Sequence, residues 1–103
     1  MINPAFEKQL PAVVQLLKNH KIKIAYLFGS AATNRFNENS DVDLLISFQD
    51  GLEPIERGEL FWSLQFALED KLNRQIDIIT EASLRNPYFI QSINKNKHLI
   101  YGY

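Results

Sequence analysis

The stretch YLFGSAATNRFNENSDVDLLI, residues 26–46, decides how the rest of the chain is read. Its ends are apolar and its middle is polar. Ile22, Ile24, Tyr26 and Phe28 alternate with Lys23 and Ala25, a spacing that predicts a strand over 22–28. Gly29-Ser30 interrupts it at once, and Ala31-Ala32-Thr33 can open a short helix. Residues 34–40 are polar and read as a loop, after which Asp41 to Phe48 forms a second apolar run, a strand carrying two acids.

Those acids are unexpected in a strand. Asp is a poor strand former, and residues two apart on a strand point to one face. Asp41 and Asp43 therefore stand side by side, where two ionised carboxylates repel each other unless a cation compensates. Magnesium suits them, because it takes oxygen ligands and favours carboxylates together with substrate phosphates. Gly29-Ser30 adds a second element. Glycine permits close approach of a ligand, and serine caps helix N-termini, whose amides attract anions such as a triphosphate. Taken singly, each motif also fits a plainer role: Asp-Val-Asp as a solvated strand start, Gly-Ser as a capped turn.

Working outward, Phe6, Leu10, Val13, Val14 and Leu17 recur at helical spacing and predict a helix over 4–19. Pro11 should delay its start or kink it. Asp50-Gly51 marks a turn. Leu60, Phe61, Leu64, Ala67 and Leu68 predict a helix over 55–71, and the isoleucine-rich run 74–80 a third strand. Pro87 opens a last helix ending near Asn96, and His98 to Tyr101 is either a short strand or an ordered tail. Strands alternating with helices predict an α/β (α+β) domain: a small mixed sheet of three to four strands with helices packed on it. Within the third strand Asp77 lies between Ile76 and Ile78. It either faces solvent or, if its strand neighbours the one bearing Asp41 and Asp43, completes a cluster of three carboxylates. Such a cluster can hold two metal ions. Trp62, Phe61 and Phe66 are assigned to the core or an interface, and His20 and His98 to surface or satisfied positions.

Composition narrows the classes. A chain of 103 residues is expected to form one domain, 1–103. It has no cysteine, which removes disulfides and zinc–thiolate sites and fits a cytoplasmic location. It shows neither a signal-like N-terminus nor a run long enough to span a membrane. The net charge of −1 disfavours nucleic acid as a partner.

Phe28-Gly29-Ser30, ten intervening residues, Asp41-Val42-Asp43-Leu44-Leu45-Ile46 and a later Asp77 in an isoleucine-rich strand resemble the polymerase-beta-type nucleotidyltransferase superfamily. The resemblance is closest to its short members, the minimal nucleotidyltransferases, and it covers most of the chain. It implies the nucleotidyltransferase fold. It assigns NTP phosphates to Gly29 and Ser30, and the metal, two Mg2+ ions, to Asp41, Asp43 and Asp77. Asp77 would also help activate the acceptor hydroxyl. ATP is the implied donor. Many small members carry Ala-Arg-Gly soon after Gly-Ser. Here Ala32 is followed by Thr33 and Asn34, and Arg35 is the residue left to reach phosphate. Short members commonly act with a helical HEPN partner as the antitoxin of a toxin–antitoxin pair. The implied reaction is AMP transfer to that partner, onto a tyrosine hydroxyl. A vestigial antitoxin acting by contact and an enzyme modifying a small molecule are the alternatives. Whether copies of the chain assemble with one another is left open.

Overall fold

A computed structural model describes residues 4–29 and 42–102. The short helix expected at 31–33, the loop at 34–40, and Ser30, Arg35 and Asp41 lie outside the described residues.

The N-terminal segment is broken where proline requires it. Helix α1 (Pro4–Glu7) ends, and α2 (Leu10–Asn19) starts afresh with Pro11 in its first turn. At N1 or N2 the missing N–H of proline costs no helical hydrogen bond. Strand β1 (Ile22–Phe28) follows, then β2 (Val42–Phe48). Helix α3 (Pro54–Leu72) also has proline in its first turn, and it stops at Asn73, whose φ of 53° is left-handed. That cap and the following turn remove Arg74 and Gln75 from the predicted third strand, so β3 is Ile76–Thr80. A 3₁₀ turn over Glu81–Ser83 leads to α4 (Pro87–Asn96). The last segment resolves as a strand, β4 (His98–Tyr101).

The four-stranded sheet has the order β3-β2-β1-β4. β1 pairs antiparallel with both β2 and β4, and β2 pairs parallel with β3. A parallel pair needs a crossover, and α3 supplies it. The sheet is therefore mixed, with β3 and β4 at its edges.

Period-2 alternation divides the sheet into two faces. Val42, Leu44 and Ile46 of β2, with Ala25 and Leu27 of β1 and Ile76 of β3, join Val13 and Leu17 of α2 and Leu64, Leu68 and Leu72 of α3 in the main core. Burying each such aliphatic side chain contributes roughly 1.5–3 kcal/mol. The other face is thinner. There Phe28 and Leu45 pack with Ile93 of α4, flanked by Tyr26, Ile79 and Leu84.

A candidate active site on the thinner face

Because Val42 and Leu44 point into the main core, Asp43 between them points to the opposite face. The same reasoning holds for Asp77, between Ile76 and Ile78. The register pairs Phe28 with Asp43 and Asp43 with Asp77. One row thus crosses three strands: an aromatic ring, a half-buried carboxylate and an exposed carboxylate. Neighbouring strands lie about 4.8 Å apart, so the two acids are adjacent and on one side. Asp77 is thus solvent-facing and at the same time adjacent to Asp43, while Asp41, the third acid of the expected cluster, lies outside the described residues.

Gly29 closes the row at the β1 end. Its φ is +74°, and a Cβ built on it would lie 2.2 Å from Oδ2 of Asp43. Only a residue without a side chain lets the backbone pass this close to the carboxylate. The main chain at Gly29 is therefore held against Asp43.

Helix α4 covers the neighbouring part of the face. Asn86 caps it, its side-chain oxygen accepting from the amides of Tyr88 at 2.9 Å and Phe89 at 3.3 Å. This fixes the first turn, and Phe89 meets Phe28 edge-to-face with ring centroids 6.4 Å apart. Asp43 and Asp77 open into a cavity of about 700 Å³ whose walls include Phe28, Phe89, Phe61, Trp62 and Glu69. A second cavity, of about 580 Å³, lies at the far ends of β2 and β3 and holds none of the predicted site residues. Of its two acids among the described residues, Glu81 accepts a hydrogen bond from Ser47 and Asp50 lies 3.6 Å from the Lys23 ammonium.

The donor set fits magnesium in kind: hard carboxylate oxygens, side by side, beside an open space large enough for phosphate and water. Among the described residues no group of three or more His, Cys, Asp or Glu side chains is placed to hold a metal. Asp43 and Asp77 supply two carboxylates, and Asp41 falls outside the described residues.

Two residues of this region were not singled out from the sequence. Gln65 and Glu69, one turn apart on α3, reach the outer edge of β3. The Gln65 amide donates to the carbonyl of Ile76, and the amide of Ile76 donates to Glu69 at 3.5 Å. Their i,i+4 spacing was the available signal, but the edge they meet was not legible. His20 is satisfied as expected, between the Leu16 carbonyl and the Ser63 hydroxyl.

A small mixed sheet with paired acids on one face, beside a glycine that brings the main chain against them, defines a nucleotidyl-transfer scaffold. Comparison agrees: the profile of the family described as polymerase beta, nucleotidyltransferase matches residues 12–103. The chain belongs to that family and is a nucleotidyltransferase. It is 39% identical over 87 residues to a candidate protein adenylyltransferase of Methanocaldococcus jannaschii, MJ0126, covering 84% of this chain and 83% of the relative. A solved structure of a candidate minimal nucleotidyltransferase superposes with a TM-score of 0.70 at 28% identity, covering 95% of both chains. A toxin–antitoxin structure with AMP-PNP contains a chain that superposes with a TM-score of 0.72 at 25% identity, covering 91% of this chain and 73% of that one.

Proposed function

We propose that this chain is a magnesium-dependent protein adenylyltransferase. It transfers AMP from ATP to a hydroxyl of a partner protein, and it serves as the antitoxin of a helical HEPN toxin. The in-register pair Asp43 and Asp77 beside Gly29 carries the reading. The relative named for protein adenylylation and the nucleotide-bound toxin–antitoxin neighbour support the substrate and the partner.

In this reading Gly29 and Ser30 receive the phosphates, with Arg35 as a further phosphate contact. Asp41, Asp43 and Asp77 hold the ions. Magnesium, when bound, neutralises phosphate charge and aligns the reacting oxygens. The acceptor oxygen attacks the α-phosphorus, the new O–P bond forms as the bond to the β-phosphate oxygen breaks, and pyrophosphate leaves. Asp77 sits on the edge strand and is exposed, so an incoming hydroxyl can reach it, and its carboxylate takes the hydroxyl proton. Asp43, half-buried between Phe28 and Asp77, is the fixed centre of the row.

The test is mass spectrometry of the co-expressed partner after incubation with ATP and magnesium. The expected result is an AMP adduct on the partner that disappears with Asp43→Asn. Transfer to small molecules with no protein adduct would overturn the choice of acceptor. Neutralisation of the partner without any adduct would overturn the enzymatic role.

A further inference from the structure

Helix α3 is apolar on two sides. Leu64, Leu68 and Leu72 are buried, yet Trp62 and Phe66 are 59% and 65% exposed. Their rings lie 6.3 Å apart, one turn along the outward side of the helix. Trp62 also lines the cavity into which Asp43 and Asp77 open, so this aromatic pair is continuous with the acids. Among the described residues the charged side chains on the cavity wall are Asp43, Glu69 and Asp77, all acidic. Asp77 stands on the edge strand, on the side of Asp43 opposite Gly29. The nucleotide side and the α3 side of the row are therefore different.

We propose that Trp62, Phe66 and Glu69 dock the acceptor polypeptide, through a cationic segment that carries an apolar or aromatic side chain close to the hydroxyl. The proposal rests on the nucleotidyltransferase reading of Asp43 and Asp77. Charge complementarity selects the occupant. Lys or Arg is attracted by the acidic wall and by the faces of the rings, and a polyanionic nucleic acid is repelled by the same wall. Tryptophan on an exposed helix face is also the residue type that most often anchors protein interfaces. Docking here supplies the orientation of the hydroxyl that the domain's own open cavity does not impose.

Trp62 is the single tryptophan of the chain, so its emission reports docking without any need for catalysis. Two synthetic peptides serve as probes. Both carry the same central tyrosine and leucine, one flanked by lysine and arginine, the other by glutamate and aspartate. Each is titrated into the full chain without nucleotide, with excitation beyond tyrosine absorption. The basic peptide should give a saturable shift of Trp62 emission that weakens with salt, and the acidic peptide none. Glu69→Gln and Phe66→Ala should each weaken the basic peptide by about tenfold. Phe66 is largely exposed, so its variant folds even if loss of the Glu69 carboxylate disturbs the edge of β3. Equal response to both peptides, or no response to either, overturns the docking surface. The AMP-adduct assay stands apart. An adduct formed by a protein lacking charge-selective docking overturns this proposal alone. Selective docking with no adduct on any acceptor overturns the transferase reading and leaves the surface standing.

Discussion

The two faces of β2 differ more than their sequence neighbours suggest. Val42, Leu44 and Ile46 lie at 1% exposure or less beneath α2 and α3. Asp43, Leu45 and Ser47, each one residue along, point to the opposite face, where among the described residues Phe28, Leu45 and Ile93 form the buried cluster. One strand thus serves two purposes by alternation. The sealed face supplies cohesion. On the open face Ile93 of α4 packs with Leu45 and Ile79, while the first turn of the helix sets Phe89 against Phe28 beside the acids. A row of acids of this kind is tolerated by the fold because the opposite face is closed by the main core.

The most severe way to break the comparison is Asp43→Asn. The amide is nearly isosteric and removes the charge at the centre of the row. Loss of a metal-binding carboxylate removes several kcal/mol of transition-state stabilisation, so transfer should fall by about 10³-fold. The melting temperature should stay within a few degrees of the parent. Transfer at the parental rate under saturating magnesium would show that the open face is not the reaction centre.

Its counterpart on the sealed face is Leu44→Ala. Leu44 is fully buried, and truncating such a residue costs about 2–5 kcal/mol. Denaturant unfolding should register that loss, while the rate per folded molecule at low temperature stays near the parent's. A variant that loses activity in step with Asp43→Asn while remaining stable would mean that the two faces are not separable.

Much of this division is legible in the sequence. The strand over 22–28 and the last helix from Pro87 to Asn96 match the structure residue for residue, because alternation in one and an Asn-Pro start in the other are local signals. The break near Pro11 is local too. What failed to show was pairing. His98 to Tyr101 is a strand because β1, some seventy residues earlier, offers an edge, and nothing within the four residues says so. The adjacency of Asp43 and Asp77 depends on a crossover through all of α3, so the sequence alone left Asp77 between solvent and cluster. Trp62 and Phe66 were ambiguous for another physical reason. A helix apolar on both sides has no pattern that tells core from surface, and only packing against the sheet selected Leu64 and Leu68. The large apolar residues of the C-terminal stretch divide as well: Tyr88 is 83% exposed, whereas Ile100 and Tyr101 pack against the main core.

Gly29→Ala sharpens the comparison at the boundary between the faces. The added Cβ would collide with the Asp43 carboxylate, and φ of +74° is strained for alanine. The left-handed conformation alone costs about 1–2 kcal/mol. Stability should fall by that amount and transfer by more, since Asp43 must move to make room. Magnesium-dependent nucleotide binding, measured by calorimetry beside thermal unfolding, separates the two losses. Unchanged nucleotide binding would remove Gly29 from the site.

The smallest effect is expected where the open face meets α4, its helical cover among the described residues. Helix α4 has ten residues, and Ile93 is its one buried apolar anchor among the described side chains. Its first turn is held by Asn86, which accepts from the amides of Tyr88 and Phe89. Asn86→Ala removes that acceptor at a cost of about 1 kcal/mol. Since so little of the helix is anchored by burial, the loss should appear locally before it appears globally. The first turn frays, Phe89 leaves Phe28, and the wall beside Asp43 loosens. Hydrogen exchange at the Tyr88 and Phe89 amides should accelerate about fivefold, while amides of β2 keep their protection. Asn86→Asp, an equally good cap, should restore slow exchange. Undiminished protection at Phe89 in the alanine variant would mean that α4 is held by packing alone, and that the open face is more completely covered than its buried cluster implies.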